Sequence, residues 1–338
     1  MNLREYAQRI PKVELHVHLE GSILPHTLLE LARRNHVVLP ASDEAGLAKL
    51  YKFKNFDQFL ETYMFITGCL RTADDYRLIA YEYGRECARQ NIRYAEVTFT
   101  IFTNTTLTGL SWQEILGGLN AGRQQAQSEY GIRWQWVFDI VRNLPDTQEE
   151  VLNIALAARH MGVIALGLGG LEAGFPPELF TDTFNRAYQQ QLHRVPHAGE
   201  ISGPESIWSA INLLHADRIG HGVRSIEDPL LVKYLRMKAL PLEICPSSNI
   251  RLQVYPDYAH HPLRKLWDAG LMVTVASDDP AMFGIDLNHE YQLLVDDFRF
   301  SREELEQVSL NGIKASFLSE AEKQKLIEEF KQEFGNIP

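Results

Sequence analysis

Val163-Ile164-Ala165-Leu166-Gly167-Leu168-Gly169-Gly170 carries no polar side chain. A strand with one wet face alternates apolar and polar residues, whereas a parallel strand covered by helices on both sides does not. Other β-rich runs are Lys12–Leu19, Ile92–Thr100, Arg133–Ile140, Arg194–Ala198, Arg218–His221, Leu242–Pro246 and Met272–Ser277. Helical pattern separates them. Thr72-Ala73-Asp74-Asp75 reads as a capping box that opens a helix with Tyr76, Ile79, Ala80, Tyr83 and Cys87 along one face. Pro25 suits the first turn of a helix carrying Leu28, Leu31 and Ala32. Eight strands alternating with helices predict an α/β fold, a (β/α)₈ TIM barrel. An open doubly wound sheet is the alternative on pattern alone, but no G-x-G-x-x-G follows the first strand.

The stretch between the first two strands is long and rich in helical pattern from Leu28 to Leu70. In a barrel this is a helical elaboration of the first loop, placed to cover the mouth. Phe53, Phe56 and Phe59 lie there at spacings suited to one helix face, where core packing is the expected role and a pocket wall the alternative. Ser301–Leu310 and Ser319–Phe330 read as closing helices. No linker, repeat or low-complexity run argues for a second domain, so residues 1–338 are expected to form one barrel domain.

With 45% hydrophobic and 23% charged residues, the chain has the composition of a large buried core. The net charge of −11 and the lack of any long Lys/Arg cluster argue against nucleic acid as a partner and for a small-molecule substrate. No run approaches the length of a membrane span. Cys69, Cys87 and Cys245 are too few and too odd in number for a disulfide framework. Buried thiols in a reducing compartment are expected, and the N-terminus has no apolar leader, so the expected location is cytoplasmic.

The chemistry gathers where the strands end. The first strand closes on His16-Val17-His18, and residues two apart in a strand share a face. Both imidazoles therefore point inward, and two neutral imidazoles suit a divalent metal. The fifth strand ends in His197-Ala198-Gly199-Glu200, the sixth in Gly220-His221-Gly222 and the eighth in Ser277-Asp278-Asp279-Pro280. Each has a plain structural reading. His197 could be a hydrogen-bonded core histidine, Asp279 an N-cap before a proline, and Gly220 and Gly222 turn residues. Together they place a His or Asp at four strand C-termini, where barrel enzymes keep their sites. His16, His18, His197 and Asp278 offer three nitrogens and a carboxylate to one Zn²⁺ per chain, with room for a water. Such an ion brings the water's pKa towards neutrality. His221 would stand beside that water as base or electrostatic support. Glu200, three residues beyond a ligand, would be a proton donor if its pKa is raised.

These segments resemble the adenosine deaminase family. Val13-Glu14-Leu15-His16-Val17-His18-Leu19-Glu20-Gly21-Ser22 is similar to its opening strand. The three later strand ends, Arg218-Ile219-Gly220-His221-Gly222 among them, and Cys245-Pro246-Ser247-Ser248-Asn249 follow in the family's order. The resemblance implies zinc on His16, His18, His197 and Asp278, with removal of the 6-amino group of an adenine-type purine as the reaction. It further implies that Glu200 protonates purine N1, His221 helps activate the attacking water, Asp279 bonds N7 and the Gly170 N–H meets N3.

Two departures bear on the substrate. Glu20 stands where adenosine-acting members commonly carry Asp, at a position that meets the ribose. Strand four continues Gly169-Gly170-Leu171-Glu172, where many members carry Gly-Asp-Glu. The longer Glu20 is similar to relatives that act on free adenine or on modified nucleosides, whereas the paired serines of free-adenine relatives are missing, so the two signals point different ways. A nucleoside, adenosine or a modified one such as aminodeoxyfutalosine, is the expected substrate, with free adenine as the alternative. A two-metal amidohydrolase is the rival enzyme, but strand four offers no bridging ligand before Glu172. A non-catalytic binding protein on the same barrel is the other rival; here every chemical position is filled.

Overall fold

The computed structural model describes residues 1–53 and 56–338; positions 54 and 55, within the expected helical elaboration, lie outside the described residues. Among the described residues, the strands are β1 (Lys12–His18), β2 (Ile92–Phe99), β3 (Arg133–Val141), β4 (Val163–Gly169), β5 (His193–Ala198), β6 (Ile219–His221), β7 (Leu242–Ile244) and β8 (Val273–Val275). They pair in sequence order, every ladder parallel. Helices fill the connections, so each strand is covered from outside, and all of β1 is buried. This is the expected (β/α)₈ TIM barrel, and the open sheet is excluded by the closure. Asp278 bridges the last strand to the first: its N–H donates to the His16 carbonyl at 3.1 Å and its carbonyl accepts from the His18 N–H at 2.8 Å.

Local chemistry explains the boundaries. Thr72 accepts from the Asp75 N–H and Asp75 answers to the Thr72 N–H, the expected capping box, which starts the helix Ala73–Arg89. Pro25 occupies the first turn of Pro25–Arg34. The last strands are shorter than the sequence pattern suggests. Pro246 has no N–H for a ladder and instead opens the helix Pro246–Arg251. The closing helices run further than expected, over Arg302–Ala315 and Glu320–Asn336. The three cysteines are free and buried.

Inside the barrel, below the mouth, a charged group is fully enclosed. Arg218 reaches Glu243 at 2.5 Å and Glu96 at 2.6 Å, donates to the Ala315 carbonyl at 3.0 Å, and stacks over Phe317. A buried guanidinium must be paired to be tolerated, and these two carboxylates pair it. One of them, Glu243, reaches up to the functional site.

Candidate active site

Alternation along β1 turns His16 and His18 to the same side, with ring centroids 5.6 Å apart. His197, from the end of β5, stands 4.5 Å from His16 and 5.5 Å from His18. His221, closing β6, is 4.8 Å from His16. Asp278 Oδ1 lies 3.4 Å from His16 Nε2 and 3.3 Å from His18 Nε2. The ligand atoms of His16, His197, His221 and Asp278 lie within 4.8 Å of one another, as do those of His18, Asp278 and Asp279. His16 Nε2 is buried with no hydrogen-bond partner. A buried acceptor left open beside a carboxylate and further imidazoles fits a divalent cation. His16 is also held for that role: its Nδ1 meets Glu243 Oε2 at 2.9 Å, which leaves Nε2 as the bare nitrogen facing the cluster.

The backbone here is shaped for these positions. His221 and Asp278 have φ of 57° and 63°, a region that side-chain-bearing residues rarely occupy. Such strain persists only where the surroundings enforce it. Asp278 is enforced by its two bonds to β1. Gly220 is more than a turn residue, because a Cβ there would come within 2.9 Å of His16 Cε1.

Glu200 is buried beside the cluster, its Oε2 3.7 Å from His221 Nε2. Burial, reinforced by the charges of Asp278 and Glu172, pushes its carboxyl up to about 8. Asp279 occupies the N-cap position of Pro280–Phe283 without making a capping bond. Its side chain packs on Gly21, where a Cβ would sit 1.8 Å from Oδ1. Burial and the neighbouring Asp278 raise its carboxyl well above the ordinary range. Burial also holds the His197 imidazole well below its usual value.

A cavity of about 640 Å³ opens over this floor. His18, His197, Glu200, His221, Asp278 and Asp279 line its base, and Gly170 lines its wall with φ of 87°. Phe56 and Phe59, from the helix Phe56–Thr67, line it too, while Phe59 also belongs to the core. Phe53 precedes that helix and packs edge-on against Phe59 and Phe283, so the single helix face expected for the three rings holds for two. Leu60, Met64 and Leu144 make the wall largely apolar, and among its described lining residues none is Lys or Arg. Glu20 is not on the cavity wall. Its Oε1 accepts from the Thr100 N–H at 3.0 Å and from Asn104 Nδ2 at 2.8 Å, and Oε2 is buried without a partner. Burial raises its carboxyl to about 7.

Sequence reasoning passed over several residues that the fold brings here. Asp139 of β3 lines the cavity with Oδ1 unpartnered, and burial raises its carboxyl. Glu243 orients His16. Glu172 accepts from the backbone N–H groups of Gly199, Glu200, Ile201 and Ser202 at 2.7–3.2 Å and from the Ser206 hydroxyl at 2.6 Å. The available signal was a lone carboxylate inside an apolar strand, as in Val137-Phe138-Asp139-Ile140 and Leu242-Glu243-Ile244.

The adenosine deaminase family profile matches residues 11–333. An aminodeoxyfutalosine deaminase from Streptomyces avermitilis is 38% identical over 331 residues, covering 97% of this chain and 92% of that protein. The crystal structure of an adenine deaminase from Arthrobacter aurescens superposes with a TM-score of 0.91 at 33% identity, over 96% of this chain and 98% of that one. An amidohydrolase from B. ambifaria with bound Zn has the same TM-score, 0.91, at 26% identity, over 99% and 94% of the two chains. With the profile spanning nearly its whole length and a His/Asp cluster that could hold a metal ion beside the cavity, this chain belongs to the adenosine deaminase family of metal-dependent aminohydrolases.

Proposed function

We propose that the chain is a mononuclear zinc aminohydrolase, a single barrel domain over residues 1–338, that converts a 6-aminopurine nucleoside to the 6-oxopurine and ammonia. The observation that carries this reading is the gathering of His16, His197, His221 and Asp278, with His18 and Asp279 grouped on the same Asp278, beside a cavity that His18, His197, Glu200, Asp278 and Asp279 line. His16, His18, His197 and Asp278 would hold the ion, and the chemistry a zinc ion supplies there is Lewis-acid activation of water. The largely apolar wall, with no Lys or Arg among its described residues, suits an uncharged purine, and the relative with bound Zn supports the choice of metal.

The chain's own groups do the rest. Glu200, with a carboxyl raised to about 8, holds its proton at neutral pH and delivers it to purine N1, which makes C6 electrophilic. Asp279, whose carboxyl is raised by burial and by the neighbouring Asp278, addresses N7. The Gly170 N–H addresses N3, and His221 stands beside the attacking water. Desolvation of the cavity strengthens each of these bonds.

The cavity is several times the volume of a purine ring, which favours a nucleoside over the free base and leaves space for a substituent beyond the sugar. Adenosine, or a modified nucleoside such as aminodeoxyfutalosine, is therefore the leading substrate; Asp139, on the wall, would meet the sugar, and Glu20 stands off the wall, bound to Thr100 and Asn104. Free adenine is the second reading, favoured by the 0.91 TM-score to the A. aurescens adenine deaminase. The three free, buried thiols support a reducing compartment such as the cytoplasm.

Ammonia release from adenosine, 2′-deoxyadenosine, adenine and aminodeoxyfutalosine, measured on zinc-loaded protein, tests the proposal. A nucleoside preference supports it, and a preference for adenine selects the second reading. No release from any of the four overturns the purine assignment.

A further inference from the structure

A chain of buried hydrogen bonds decides where His221 carries its proton. It starts at the backbone N–H of Leu263, which donates to His261 Nδ1 at 3.2 Å. A backbone amide is a donor only, so His261 Nδ1 is bare and the ring's single hydrogen is on Nε2. That nitrogen lies 3.0 Å from Asn249 Oδ1, which accepts. The Asn249 amide is thereby oriented, and its Nδ2 donates to His221 Nδ1 at 3.2 Å. Since Nδ1 of His221 accepts, it carries no proton. The ring is neutral, and its one hydrogen is on Nε2. His221, Asn249 and His261 are all buried, so water does not compete for these bonds.

Nε2 of His221 faces the reaction centre, 3.7 Å from Glu200 Oε2 and 3.9 Å from Asp278 Oδ2. A nitrogen bearing hydrogen has no lone pair for a metal and none for a proton. By position alone His221 is as close to the cluster as His197, and only the direction of its hydrogen separates the two roles.

We infer that Asn249 and His261 are positioning residues that hold His221 as a neutral imidazole with Nε2–H turned to the reaction centre, making it a hydrogen-bond donor there and neither a metal ligand nor the base. The inference rests on the cavity being the deaminase centre proposed above. It selects His18 over His221 for the donor set. It also leaves the proton lost by the attacking water to a carboxylate near His221, either Asp278 or Glu200 once Glu200 has given its own proton to N1.

The test is the tautomer of His221, read by nitrogen NMR on zinc-loaded protein labelled with ¹⁵N-histidine and assigned with His221→Gln. Hydrogen on Nε2 is the expected result; hydrogen on Nδ1, or on both nitrogens, overturns the inference whether or not any purine is deaminated. Asn249→Asp presents only acceptors to Nδ1, so it should move the hydrogen there and lower kcat by about 10–100-fold with KM nearly unchanged, the scale of other orienting groups. His261→Gln keeps a donor for Asn249 Oδ1 and should keep the Nε2–H signature and most of kcat. An unchanged tautomer in Asn249→Asp, or its loss in His261→Gln, counts against the relay. Should the substrate panel release no ammonia while the tautomer is as expected, the deaminase reading fails and the relay stands.

Discussion

One carboxylate holds the other: Glu172 Oε2 accepts the backbone N–H of Glu200 at 3.2 Å, and the same side chain takes the N–H groups on both sides of it. Four successive amides bound to one side chain leave the loop after β5 little freedom, and with it the direction in which Glu200 points. Glu172→Gln replaces one acceptor with an NH₂ group facing those donors. The expected outcome is a fall in kcat of about 10–100-fold with unchanged zinc content, since the ligands are untouched. Turnover assays alongside metal analysis check this; loss of zinc in parallel with activity would assign Glu172 to the metal site instead.

Glu200 itself is expected to be the proton donor. Glu200→Gln is nearly isosteric and cannot release a proton, so it should lower kcat by about 10²–10⁴-fold while zinc remains bound. Retention of more than about one per cent of the activity argues against the acid role, because a general acid contributes at least that factor.

Two carboxylates are expected to affect metal retention in different ways. Asp278→Ala removes a proposed ligand and should abolish both zinc binding and activity. Glu243→Gln removes the charged partner of His16 Nδ1 together with one of the two carboxylates that pair Arg218, and should weaken zinc affinity by about 10–100-fold. Competition with a chelator measures both; normal affinity in Asp278→Ala would refute the ligand assignment.

Asp139 offers an unpartnered, buried oxygen to the cavity wall, next to Glu20 in the field it feels. A hydrogen bond to a buried charged acceptor is worth about 1.5–3 kcal/mol. Asp139→Asn should therefore reduce kcat/KM for the nucleoside by about 10–100-fold and leave adenine turnover nearly unaffected. Equal loss on both substrates would place Asp139 at the purine rather than the sugar.

Glu290, enclosed in the helix Leu287–Asp296 and bound to the Ser247 N–H, is pushed up by burial to about 8. In the unfolded chain it ionises near the ordinary value, so between that value and about 8 the unfolded state has lost a proton that the folded state retains. Stability from this group is therefore present at low pH and declines as pH rises through that window. Glu290→Gln has no such dependence. Its melting temperature relative to the parent should rise between pH 5 and pH 8, and thermal melts at the two values decide it.

Much of the site was legible because its residues are encoded locally. The spacing His16-Val17-His18 places two imidazoles on one face of a strand wherever that strand lies, and strand C-termini share one end of a parallel barrel. His197, Glu200, His221, Asp278 and Asp279 could be gathered from separate motifs for that reason. The capping box at Thr72 and the proline at Pro25 were equally local.

What the sequence determined by itself is the barrel, the set of candidate ligands and acids, and the class of chemistry they serve. The tertiary structure decided the state of each group. His16 presents Nε2 because Glu243, 227 positions away, takes Nδ1. Glu200 is aimed because Glu172 gathers its loop, and His221 is a donor because Asn249 and His261 meet behind it. Phe53 left the helix face that spacing suggested, and Glu20 turned towards Thr100 and Asn104 rather than the cavity. The physical reason is common to all of them. Backbone periodicity says which way a side chain leaves its own strand or helix, but tautomer, ionisation and aim depend on buried partners that distant parts of the chain supply only once folded.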